Sequence, residues 1–147
     1  MKKSILIVLF AVAFSMASAQ EWKVVTIVES IVPGGIGRSR LVENQGSPDI
    51  DALTTQRTGK KAAKDQADRD EVKESGENFK ETMLVNFYSM VGINFGNIAS
   101  NDAVITAKIN QLVKQGWQVA FVTSGVEAHA GKDDKAGLFI TRIFFKK

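Results

Sequence analysis

Cysteine is absent from this chain. That excludes disulfides, thiolate metal sites, a cysteine nucleophile and the lipidated cysteine of a bacterial lipoprotein. Histidine is nearly as scarce, since His129 stands alone. Sites that need two imidazoles are therefore out of reach. Only Pro33 and Pro48 punctuate the chain as prolines. The longest apolar run, residues 5–14, falls well short of the roughly 18 residues that a membrane-spanning helix needs. A dominant charge is lacking too. The nominal +3 includes Lys2 and Lys3, and without them 17 basic side chains face 16 acidic ones. So even a balance removes the main electrostatic argument for nucleic acid as a partner.

What is present begins with an address. Lys2 and Lys3, the apolar residues 5–14 and the small residues Ala17-Ser18-Ala19 have the order of a secretory signal peptide cleaved before Gln20. Residues 1–19 are then the leader, and residues 20–147 form one exported domain, periplasmic or extracellular, with no stable membrane anchor. Without disulfides, its core alone has to hold it.

Trp22-Lys23-Val24-Val25-Thr26-Ile27-Val28 is β-branched and reads as a strand. Pro33-Gly34-Gly35-Ile36-Gly37 signals a turn, and residues 38–42 return as the second strand of a hairpin. A polar stretch follows. Between Arg57 and Glu81 seven basic and seven acidic side chains surround just two large apolar residues, Val72 and Phe79. Residues 44–81 thus read as a charged, mobile insertion, solvated or partner-binding, with helix in part. A third strand is expected from Thr82 toward Met90, then an irregular stretch with Phe95 and Ile98 turned inward. Asn101 or Asp102 is expected to cap a helix whose stripe is Ile105, Ile109, Leu112 and Val113, ended by Gly116. Residues 117–123 and 138–145 supply two further strands around a Gly-rich loop at 124–137. The order predicts an α+β domain: a mostly antiparallel sheet of 4–5 strands covered by one amphipathic helix.

Trp22-Lys23-Val24-Val25, the helix closing on Gly116-Trp117-Gln118-Val119, and the terminal Phe144-Phe145-Lys146-Lys147 together resemble the domain-of-unknown-function 4177 family. These are small bacterial domains of strand–helix–strand–strand order. The resemblance covers the first strand and residues 102–147, and residues 30–100 have no counterpart in short members. It implies the fold and no activity, since none is assigned to the family.

Chemical motifs are sparse. Gly125 to Lys132 resembles a phosphate loop but has five residues between its glycines, and Asp133 follows the lysine where a hydroxyl is needed. Gly35-Ile36-Gly37 lacks the third glycine of a dinucleotide fingerprint, Arg40 standing in its place. Glu127 and His129, with Asp133 and Asp134 near, form a weak metal or hydrolytic grouping against the plainer reading of a solvated loop histidine. No metal, cofactor or catalytic residue is assigned.

One constellation has chemical promise. If the first strand and the Trp117 strand both flank the last strand antiparallel to it, the loops that follow them share one end of the sheet. Arg38, Arg40, His129 and Lys132 then converge on an anion, either a small molecule or a glycan. The plainer alternative makes the arginines surface groups ion-paired to Glu29 or Glu43. The sequence favours a non-catalytic binding or interaction domain for an anionic ligand or another protein. The alternatives are a small hydrolase-like or metal-dependent enzyme centred on Glu127 and His129, and a structural subunit that oligomerises by sheet-edge pairing.

Overall fold

The computed structural model describes residues 20–31, 39–57, 66–126 and 137–147. The β-branched run after Glu21 forms β1 (Trp22–Ser30), which pairs with β2 (Arg40–Asn44) on one side and β7 (Leu138–Lys146) on the other. β3 (Phe79–Met83) adds to β2, and β6 (Gln118–Val126) adds to β7. The sheet order is β3-β2-β1-β7-β6, with every neighbouring pair antiparallel. A small hairpin joins β4 (Tyr88–Ser89) to β5 (Gly92–Ile93). Two short helices, α1 (Ile50–Leu53) and α2 (Arg69–Glu74), precede the long α3 (Phe95–Lys114). This is the expected α+β fold: an antiparallel sheet with one main helix.

Strand periodicity sorts the side chains onto two faces. Val25 and Ile27 of β1 lie opposite Ile143 and Thr141 of β7, and opposite Glu43 and Leu41 of β2. Val25, Ile27, Leu41, Ile143 and Phe145 are buried together with Leu112 and Trp117, and Val104, Ile105 and Ile109 of α3 pack on them. The core therefore lies between α3 and one face of the sheet.

The C-terminus of α3 follows its sequence signals. Gly116 takes φ +89°, which only glycine adopts cheaply. Its N–H donates to Val113 O at 2.9 Å and that of Trp117 to Leu112 O at 3.1 Å, the paired bonds of a Schellman ending. The helix start differs from the expectation. Asn94, not Asn101 or Asp102, is the cap, its side chain accepting from the Asn97 N–H, so the helix begins at least seven residues earlier. Asn101 lies inside the helix and is 1% exposed. Its amide pairs with the backbone of Val85, donating to the carbonyl at 2.8 Å and accepting from the N–H at 2.9 Å, and so completes hydrogen bonds that β3 gives up after Met83. Phe95 faces solvent instead of the core, and so does Val113.

Within the insertion, the described residues hold α1, α2 and the strand β3, which starts at Phe79 instead of Thr82. Asp49 caps α1, and an Asp68–Glu71 capping box opens α2.

Candidate functional site: the uncovered face of the sheet

The side chains that alternate with the core project from the other face of the sheet. Across it, Phe121, Phe144 and Val24 form one row, and Thr123, Arg142, Thr26, Val42 and Glu81 the next. Ile140, Val28, Arg40 and Met83 follow in a third. No described helix covers these rows in the way α3 covers the core. Phe121 stacks on Phe144 with centroids 4.2 Å apart and planes 15° from parallel, and Trp22 meets Phe121 at 6.3 Å. Trp22 is nevertheless 53% exposed and Phe121 51%. Phe79 and Met83 extend the apolar surface across β3.

Cations border this aromatic patch. Arg142 is exposed and makes no ion pair among the described residues. Beside it, a hollow of about 420 Å³ is lined by Thr123, Ser124, Gly125, Val126, Ile140 and Arg142. An aromatic platform beside the exposed Arg142 guanidinium and the Thr123 hydroxyl can stack on a flat ligand and pair with an anionic group.

Of the sequence-predicted site, Arg38, His129 and Lys132 lie outside the described residues, as does Glu127. The strand arrangement on which that site depends is present: β1 and β6 both flank β7 antiparallel, so Ser30 and Val126 end at one side of the molecule. Arg40 begins β2 on the uncovered face. Its Nη1 donates to Ser39 O at 2.9 Å, and its Nε lies 3.8 Å from Glu81. The expected partners Glu29 and Glu43 are on the opposite, helix-covered face, because sheet alternation separates them from Arg40. Glu43 instead accepts from Lys108 at 2.6 Å, and Glu29 accepts from Asn101 at 3.0 Å.

Sequence reasoning missed Arg142 and the Trp22–Phe121–Phe144 cluster. The signal was in residues 138–145, which are apolar at both parities. With one helix to cover one face, half of those side chains have nowhere to go.

Burial holds the Glu29 carboxyl above the ordinary carboxylate range, opposed by the Asn101 hydrogen bond and reinforced by nearby Asp102. The native state thus binds this proton more tightly than the unfolded chain. Stability contributed by this group is full below the unfolded value near 4.5 and falls as pH rises through the higher native value. Glu29→Gln is expected to remove that decline while still accepting from Asn101. Urea titrations across the acidic range read it, and an unchanged pH slope would reject it.

Comparison with known proteins gives no match: no family model, curated protein or solved structure matches this chain.

Proposed function

We propose that this is an exported, non-catalytic interaction domain whose working surface is the uncovered sheet face around Trp22, Phe121, Phe144 and Arg142. The observation that carries the reading is the half-exposed aromatic cluster beside an exposed arginine that has no ion pair among the described residues. Contiguous apolar surface of this kind on a soluble domain marks a site of interaction. Arg40, neutralised in part by Glu81, lies on the same face and would widen the site. The ligand class that fits is an anionic small molecule, a glycan with an acidic group, or a protein surface that presents one. The leader-like residues 1–19 support export. The enzyme reading centred on Glu127 and His129 gains no observation from the described residues.

A screen of anionic small molecules, glycans and acidic peptides tests the proposal, with Trp22→Ala and Arg142→Ala beside the wild type and Lys114→Ala on α3 as control. Binding that both face variants lose and the control keeps is expected, weakening as salt rises. Binding indifferent to the face variants, or turnover of a screened compound that depends on His129, would overturn it.

A further inference from the structure

The two edges of the sheet differ in kind. At one edge, β3 carries Lys80 and Glu81, the charged blunting that keeps edge strands from pairing with other chains. At the other, β6 runs Gln-Val-Ala-Phe-Val-Thr-Ser-Gly-Val without a charge or a proline. Phe121, Val122 and Val126 are all more than half exposed, on alternating faces of the strand. Its single irregularity is a bulge between Val119 and Phe121, after which the register with β7 is unbroken to Val126. Among the described residues that edge has no partner strand, and it spans about 20 Å at ~3.4 Å per residue.

We infer that β6 pairs antiparallel with β6 of a second copy, about a twofold axis through Thr123 normal to the sheet, so that two five-stranded sheets become one of ten strands. Three observations select a second copy as the occupant. An uncharged strand can face itself in any register without setting like charges opposite one another, whereas β3 centred on Lys80 or Glu81 would oppose identical charges. A twofold normal to the sheet keeps the uncovered faces of both copies on one side, and alternation then allows only same-face partners. Centring on Thr123 sets Phe121 opposite Gly125 of the other copy and Val122 opposite Ser124. The third observation is shape. Gly125 has open space where a side chain would begin, and it borders the hollow between Thr123 and Arg142. The half-exposed Phe121 is thus the projection, and the Gly125 hollow the recess, of one self-complementary edge. An aromatic side chain set across from a glycine on a neighbouring strand is a favourable pairing. Pairing would also join the two aromatic patches across the axis. The inference goes beyond the proposed binding role: it rests on β6 alone and leaves Trp22 and Arg142 accessible.

Sedimentation equilibrium of the chain starting at Gln20 tests it, together with single-cysteine variants, which this cysteine-free chain permits without background. The wild type is expected at twice the chain mass. Thr123→Lys sets two ammonium groups face to face and is expected to weaken association about tenfold or more, with the circular dichroism unchanged. Thr123→Cys is expected to form an intermolecular disulfide on mild oxidation, because directly opposed antiparallel residues lie about 4.5–5.5 Å apart at Cα, within disulfide range. Glu81→Cys on β3, at the far edge of the sheet, is expected to form no intermolecular disulfide. A wild type that sediments as one chain at every concentration, a dimer that survives Thr123→Lys, or cross-linking at residue 81 in place of 123 would overturn the inference. Trp22→Ala and Arg142→Ala, both off β6, separate the two proposals, since they are expected to sediment as the wild type does. If they do, the pairing stands or falls with the sedimentation result alone. If a dimer forms but no ligand depends on Trp22 and Arg142, the binding face fails instead.

Discussion

Trp117→Ala is expected to lower the free energy of unfolding by about 3–5 kcal/mol, a large fraction of the roughly 5–15 kcal/mol a domain possesses. Trp117 is 9% exposed and is the largest side chain in the core cluster. It also follows Gly116 directly, so its indole joins the buried cluster that holds Leu112 where the Schellman hydrogen bonds close the helix. The ring is capped by two ammonium groups, Lys23 Nζ at 5.2 Å and Lys147 Nζ at 5.9 Å from its centroid. Removing it leaves a cavity beneath the helix C-terminus and strands both lysines without their aromatic partner. Urea unfolding followed by circular dichroism measures the loss, and Trp117→Phe should recover part of it by refilling the volume. A change under ~1 kcal/mol in the alanine variant would mean that the indole is not a core group.

Lys108→Ala should cost nearly as much, by a different route. The Glu43 side chain is 7% exposed and that of Lys108 17%, and their 2.6 Å contact ties α3 to β2. Truncating one partner of a buried ion pair leaves the other charge without compensation, a loss of about 3–5 kcal/mol. Lys80 lies directly opposite Glu43 across the β2–β3 ladder and can reorient toward it, which places the expected loss near the lower bound. Replacing both members with Glu43→Leu and Lys108→Met should restore most of the stability, since apolar packing then fills the site. The exposed pair of Lys73 with Asp70, 59% and 81% exposed, provides the contrast. Lys73→Ala should leave the unfolding midpoint unchanged, because solvent screens such pairs. Equal effects of Lys108→Ala and Lys73→Ala would show that Glu43 is solvated in solution.

These two sites also mark how far the fold can be read from residues alone. The Trp117 end of α3 is specified locally, by Gly116 and the apolar spacing before it, so its reading agrees with the structure. The other end is not. Asn94 and Asn101 are chemically identical candidates for a cap, and tertiary hydrogen bonds to Val85 decide that Asn101 is buried inside the helix. β3 begins within a stretch whose charge argues against structure, because an edge strand tolerates Lys80 and Glu81 where a central strand would not. Local spacing also cannot say across which face an arginine finds its acid. Arg40 meets Glu81, 41 residues away, since only the β2–β3 register brings them together. The uncovered face was hidden for the same reason. Phe121, Phe144 and Trp22 each look like core residues singly, and only the sheet order shows that α3 lies on the other side.

The aromatic face around Trp22 is expected to be open to solvent and available for binding. Acrylamide quenching of the two tryptophans, isolated in turn, tests it most directly. With Trp117→Phe, the remaining Trp22 should emit at long wavelength and be quenched readily, as a side chain 53% exposed requires. With Trp22→Phe, the remaining Trp117 should emit at shorter wavelength and resist quenching. Edge pairing through β6 leaves this contrast in place. A Trp22 as protected as Trp117 would mean that the face is covered in solution, and would contradict the account.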